Sequence, residues 1–251
     1  MRALLTSSIL AFQLFTGTSF AADYAREKKW ADEVVPSIVV GDPVYLKQAN
    51  GHEFLSLFTP VKDAKSALLI AHGLGIHPDW GLIGVLRAAL VDEGYTTLSI
   101  QMPVLANEAT GKEYPPTFAE ARERLQVAAD FLKAKGYSNI AILSHSLGSG
   151  MTYSYLASQP DAAVKAWINL GMAGYADTTA DLSILKLPVL FLYGERDLPE
   201  VLAIAGSHQR NAASSTAVRL QMMLGADHFF TGMDKELLAA ISGYLKEVLG
   251  K

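Results

Sequence analysis

The chain has 251 residues, half of them hydrophobic and 18% charged, with a formal net charge of −4 and no cysteine. That length and apolar content are enough for one full hydrophobic core, so a single domain is the simplest organisation. The acidic balance, with no basic run interleaved with aromatics, argues against a nucleic-acid partner, and the lack of cysteine rules out both disulfides and a lipid-modified amino-terminal cysteine.

Along the chain, Arg2 precedes an apolar stretch from Ala3 to Phe15, and Ser19 and Ala21 put small residues where a signal peptidase inspects them. Residues 1–21 read as a secretory signal peptide, too short and too rich in Thr, Ser and Gln to span a membrane. The mature chain is then a single domain over residues 22–251, exported across the inner membrane to the periplasm, with no integral membrane segment. Asp23 to Asp42 is charged, then β-branched, and gives no clear element. Val44 to Asn50 and His52 to Thr59 read as strands of a hairpin turning at Asn50-Gly51.

From Ala67 onward, strand and helix patterns alternate. Ala67 to Ala71 is a short buried-strand run ending in His72-Gly73-Leu74-Gly75, and Trp80 to Glu93 is helical. Thr96 to Gln101 is a strand, followed by a polar loop from Pro103 to Pro116 that either walls a pocket or merely connects elements at the surface. Phe118 to Lys135 is helical, Asn139 to Leu143 a strand, Leu147 to Ser158 helical and Ala166 to Leu170 a strand. Only about fifteen residues separate Gly171 from the next strand, Leu187 to Tyr193, too few for a separate cap domain. Pro199 to Ala212 is helical, Val218 to Leu224 a strand, and Lys235 to Leu249 an amphipathic closing helix. The alternation predicts an α/β fold: a mostly parallel central sheet with helices on both faces and the antiparallel hairpin at its edge.

The chemistry concentrates at three strand ends. Ile140 to Leu143 runs into Ser144-His145-Ser146-Leu147-Gly148, where a strand turns abruptly into a helix through small residues. Such a turn strains its central residue and presents it, which makes Ser146 the candidate nucleophile. A hydroxyl needs a histidine to take its proton, and the histidine needs a carboxylate to fix its tautomer. Asp197 follows the strand that ends near Gly194, and His228 follows the strand that ends near Leu224. Glu195 and Asp227 compete for the carboxylate role. Catalytic groups of open α/β sheets gather at the carboxyl ends of strands, so all three candidates converge on one edge.

Ser-x-Ser-x-Gly, the order Ser146, Asp197, His228, and the His72-Gly73 loop together resemble the α/β-hydrolase superfamily from about Ala67 to the carboxyl terminus. Ser144 stands where the elbow pattern has glycine. His72-Gly-Leu-Gly-Ile-His-Pro-Asp-Trp80 and Thr97-Leu-Ser-Ile-Gln-Met-Pro103 further resemble a group of exported bacterial hydrolase-like proteins. The resemblance implies an α/β-hydrolase fold without a large cap, selects Asp197 over its competitors, and implies an oxyanion hole from the N–H of Leu74, or of Gly73, with that of Leu147. His72 is expected to structure this loop by side-chain hydrogen bonding. Gly73, His145 and Met172 are the expected substrate contacts, with Ile76, Trp80 and Met102 helping to set pocket size.

No His-Glu-x-x-His helix suggests a metal, Pro78 stands where a third dinucleotide-fingerprint glycine would be, and no Walker lysine follows a glycine loop, so neither metal nor cofactor is expected. The expected function is hydrolysis of a small-molecule carboxylic ester through an acyl-enzyme. An amide, peptide or thioester hydrolase uses the same parts, and a non-catalytic periplasmic binding protein on the same fold is the alternative from another class.

Overall fold

A hairpin and six alternating strands assemble into one sheet. The computed structural model describes residues 22–158, 161–173, 181–212 and 217–250; the expected signal peptide lies outside them. The strands are β1 (Asp42–Lys47), β2 (Glu53–Thr59), β3 (Ser66–Ala71), β4 (Thr96–Ile100), β5 (Asn139–His145), β6 (Val164–Leu170), β7 (Val189–Arg196) and β8 (Val218–Asp227). Their order across the sheet is β1-β2-β4-β3-β5-β6-β7-β8. β2 pairs antiparallel with both β1 and β4, and every other neighbouring pair is parallel. This is the mostly parallel sheet with an antiparallel edge that the sequence predicts. The helices are α1 (Tyr24–Val34), α2 (Gly81–Asp92), α3 (Phe118–Ala134), α4 (Leu147–Ser158), α5 (Pro199–Ala212) and α6 (Asp234–Leu249).

Strand alternation divides the core in two. Ala67, Leu69 and Ala71 of β3 join a cluster with Leu125 and Leu132 of α3, Met151 of α4 and Val201 of α5, whereas Leu68 and Ile70 join one with Leu86 of α2 and Leu245 of α6. Successive strand residues point to opposite faces, so a continuous apolar run feeds both layers. Among the described residues, no helix is long and apolar enough to cross a membrane. Residues 174–180, in the connection between β6 and β7, lie outside the described residues, and so does that part of the expectation of no cap.

Three differences from the sequence reading bear on the buried polar groups. The unassigned stretch after Asp23 forms α1, capped by the Asp23 carboxylate, which accepts from the Arg26 N–H at 3.0 Å. Its buried face carries Glu27 beside Ala31 and Val34, so the apolar stripe that announces a helix is broken by a charge. The hairpin strands end at Lys47 and resume at Glu53, leaving a longer connection than the two-residue turn expected at Asn50-Gly51. Glu123 of α3 holds that connection through the Ala49 N–H at 2.6 Å and Gln48 Nε2 at 3.2 Å. Finally, β7 and β8 stay paired as far as Arg196 and Asp227, past an irregularity at Gly194. That extension sets Asp197 and His228 side by side, each one residue beyond its strand.

Candidate active site

Ser146 lies between β5 and α4 with φ +54°, in the left-handed region. A non-glycine residue held there costs on the order of 1–3 kcal/mol and persists only where its surroundings fix it. Gly148 is what lets α4 start so close to β3: a Cβ on Gly148 would lie 2.2 Å from the His72 carbonyl oxygen and 2.7 Å from that of Ala71. Serine at position 144 has its own explanation. Its hydroxyl is buried, accepts the indole N–H of Trp167 at 2.7 Å and lies 3.1 Å from Ser149 Oγ, so the side chain fills a polar niche between β5, β6 and α4.

Ser146 Oγ is 2.9 Å from His228 Nε2, and His228 Nδ1 is 2.6 Å from Asp197 Oδ1. A carboxylate only accepts, so the proton sits on Nδ1 and the bare Nε2 accepts from the serine hydroxyl. Asp197 also takes the Gly194 N–H at 3.1 Å and the Leu198 N–H at 2.8 Å. Burial alone would raise its pKa, but the hydrogen bonds from His228 and these two amides outweigh burial and hold the carboxyl below its ordinary value. The competing carboxylates are engaged elsewhere. Glu195 accepts from the Gly225 N–H, and Asp227 caps the turn after β8 by accepting from the Phe229 and Thr231 N–H groups.

The loop after β3 is shaped by His72. Its Nε2 accepts from the Met102 N–H at 2.9 Å, so the ring proton is on Nδ1, which donates to the Gly73 carbonyl at 2.9 Å. Burial brings the His72 pKa down to about 3, which keeps the ring neutral and this arrangement intact. In a trans peptide the C=O and the following N–H point in opposite directions, so anchoring the Gly73 oxygen also fixes the direction of the Leu74 N–H. Leu147 is the first residue of α4, and its N–H is one of the helix-terminal donors that no helical carbonyl reaches. The structure therefore brings Leu74, Leu147 and Ser146 to the same strand edges.

His145 donates Nε2–H to the His228 carbonyl at 2.9 Å, tying the turn at Ser146 to the loop after β8. Burial, with a smaller contribution from His228, lowers its pKa to about 4. Gly73 packs against this ring so closely that a Cβ there would sit 3.1 Å from His145 Nδ1. Gly73, Leu74, Ile76, Trp80, His145, Ser146, Leu198, His228 and Phe229 line a half-open cavity of about 340 Å³.

One expectation needs correction. Met172 is not among the lining residues; it is buried in the core layer under α3 to α5, because the chain leaves β6 through Gly171 with φ +56° and turns the next side chain inward. Among the described residues, the 103–116 loop contributes none to this cavity; its Ala106, Asn107 and Glu108 line a separate, more open recess against α1. The loop is bound to α1, with Arg26 donating to Leu105 O at 2.6 Å and to Asn107 Oδ1 at 3.0 Å. Sequence reasoning missed Gly171, where a Cβ would lie 3.1 Å from His228 Nδ1 and 3.2 Å from Asp197 Oδ2. It also missed Leu198 and Phe229 in the lining. Their adjacency to Asp197 and His228 was the available signal.

This sheet order, with a strained serine after β5 and a carboxylate and histidine after β7 and β8, is the α/β-hydrolase fold. A family model described as "Protein of unknown function (DUF3530)" matches residues 42–121, a segment that stops short of Ser146, Asp197 and His228. No curated protein matches the sequence. Among solved structures, the chain is similar to a dienelactone hydrolase from Anabaena variabilis (18% identity, TM-score 0.67, covering 83% of this chain and 95% of that one). It is also similar to the esterase Pf2001 from Pyrococcus furiosus (15%, TM-score 0.67, 83% and 91%) and to Est1E from Butyrivibrio proteoclasticus (16%, TM-score 0.64, 83% and 99%).

Proposed function

We propose that the protein is a serine hydrolase that cleaves an uncharged carboxylic ester through an acyl-enzyme. The observation that carries this reading is the chain of hydrogen bonds from Ser146 Oγ through His228 to Asp197, starting from a serine held at positive φ. Ser146 Oγ attacks the ester carbonyl carbon while His228 Nε2 takes its proton. The oxygen that becomes negative is bound by the N–H groups of Leu147 and Leu74; one such donor is commonly worth ~3 kcal/mol in the transition state. Asp197 stabilises the imidazolium, which returns the proton to the leaving alcohol. Water, activated by His228, then releases the acid and restores the serine.

The lining supports an ester with an apolar, uncharged acyl group. Leu74, Ile76, Trp80, Leu198 and Phe229 surround Ser146, and among the described residues no lysine, arginine, aspartate or glutamate joins them. At ~30 Å³ per group, a volume of about 340 Å³ holds roughly ten non-hydrogen atoms, which fits a short acyl chain with its ester. The similarity to known esterases is consistent with this reading. Export to the periplasm as residues 22–251 belongs to the same proposal and rests on the amino-terminal pattern. The test is turnover of a chain-length series of chromogenic esters, together with a half-ester carrying a free carboxylate. Short neutral esters should be hydrolysed and the anionic one refused, with activity falling ~10^4-fold or more in Ser146→Ala. Unchanged turnover in Ser146→Ala would refute the nucleophile.

A further inference from the structure

On the opposite side of the sheet edge from α6, a buried charged cluster is short of one cation. Arg124 of α3 has no exposed side-chain surface and meets two carboxylates: its NH1 is 3.0 Å from Glu27 Oε2 and its NH2 2.5 Å from Glu120 Oε1. Its remaining contacts are neutral, Nε to Gln48 Oε1 at 3.1 Å and NH1 to the Gln101 carbonyl at 3.0 Å. His52 stacks on Tyr24 and lies 3.3 Å from Glu27 Oε2, but burial, followed by the Arg124 charge, lowers its pKa, so it does not supply the missing charge. Glu123, at the rim, adds a carboxylate engaged with Gln48 and the Ala49 N–H. Two acids, Glu27 buried and Glu120 partly exposed, against one guanidinium leave Glu27 under-compensated, and burial pushes its carboxyl up to about 7 despite Arg124.

The second oxygen of Glu120 faces the backbone nitrogen of Ala22. Glu120 Oε2 accepts the Ala22 N–H at 3.4 Å, and Ala22 is only 7% exposed. The segment is pinned there by the Asp23 N–H, which donates to the Val104 carbonyl at 2.7 Å. Ala22 is also the first residue after the expected signal peptide. Hydrolysis of the Ala21–Ala22 peptide bond by a signal peptidase and water leaves Ala21 as a carboxylate and Ala22 as an α-ammonium, so a neutral amide nitrogen becomes a cation with three donors at the place where the cluster lacks one.

We propose that this is a docking site for the mature amino terminus: the α-ammonium of Ala22 pairs with Glu120 and completes the Glu27–Arg124–Glu120 cluster only after residues 1–21 are removed. The dipole of α1 works against a cation at its amino-terminal end, which is why a carboxylate from another helix is needed to hold it. Through Arg124, Gln101 and the hydrogen bond from Gln101 Nε2 to His72 Nε2 at 2.9 Å, the terminus is tied to the loop that presents Leu74. The inference rests on residues 1–21 being a cleaved leader and not on the proposed hydrolysis.

The experiment starts with intact mass of the exported protein, which should correspond to residues 22–251. Thermal melting is then compared for the mature chain, the same chain carrying a Gly-Ser extension before Ala22, and the Nα-acetylated mature chain, each with Glu120 and with Glu120→Gln. At pH 7 the free terminus should melt ~3 °C or more above both blocked forms. The gap should close in Glu120→Gln and again above pH ~10, because an α-ammonium with an ordinary pKa of ~8, raised by its partner, has lost its proton there. A terminus other than Ala22, equal melting of free and blocked chains, or a gap that survives Glu120→Gln would each overturn the proposal.

Discussion

The molecule contains two buried polar chains built on opposite principles. At the carboxyl ends of β5, β7 and β8, the Ser146–His228–Asp197 chain carries a single carboxylate, and that carboxylate is matched by a ring N–H and two backbone N–H groups. Between α1, α3 and the hairpin, Glu27 and Glu120 share one arginine, Glu120 from the preceding turn of the same helix and Glu27 from 97 residues away. The first is set by backbone geometry: a serine at positive φ, a glycine where α4 meets β3, and two strands whose pairing runs to their last residues. The second is set chiefly by the pairing of side-chain charges, with neutral hydrogen bonds from Arg124 to Gln48 and the Gln101 carbonyl around it. Damage to the first should therefore appear in turnover at nearly constant stability, and damage to the second in stability and its pH dependence.

Asp197→Asn offers the largest expected effect and the sharpest form of that contrast. It keeps the shape while removing the preference for the Nδ1–H tautomer of His228, so kcat should drop ~10^4-fold with melting little changed. A comparable loss of stability would mean that Asp197 is structural and would break the distinction. Arg124→Met comes next. It strands the buried Glu27 and the partly buried Glu120 carboxylates and should cost about 3–5 kcal/mol in denaturant unfolding at pH 8. The loss should shrink in acid, where the Glu27 carboxyl, whose pKa burial raises to about 7, takes up a proton.

Ser144→Gly tests whether the serine at the elbow's first small position is a local packing choice. Activity should survive, while removal of the acceptor for Trp167 Nε1 should cost about 1–3 kcal/mol of stability. Lost activity with intact folding would instead make Ser144 part of the chemistry. The smallest effect is that of Glu27→Gln. A carboxyl whose folded pKa lies near 7, above its ordinary 4.5, is held protonated by the fold, so stability falls as pH rises from about 4.5 to 7 and the cost is complete above that range. The substitution should flatten this slope in thermal melts of the chain that still carries residues 1–21.

The same contrast explains what the sequence disclosed. Ser146, Asp197 and His228 follow strands whose apolar runs are easy to see, and a strained turn demands small neighbours, so local spacing pointed to Ser146 and His228, whereas Asp197 was separated from Glu195 and Asp227 only by the resemblance to the α/β-hydrolases. The alternation of strands and helices after Ala67 was legible for the same reason. α1 was not, because Glu27 interrupts its buried face, and the partner that makes this burial possible, Arg124, lies 97 residues away. Met172 was misplaced because its direction depends on the positive φ of Gly171, which periodicity does not report. Leu198 and Phe229 reach the cavity only because β7 and β8 extend beyond the apolar stretches that revealed them.

The most direct test of the central claim is labelling of the mature protein with a serine-reactive phosphonate, followed by intact mass and peptide mapping. One adduct per chain, located on Ser146 and absent from Ser146→Ala and His228→Ala, is the predicted result. No adduct, or an adduct on Ser144 or Ser149 that persists in Ser146→Ala, would contradict it.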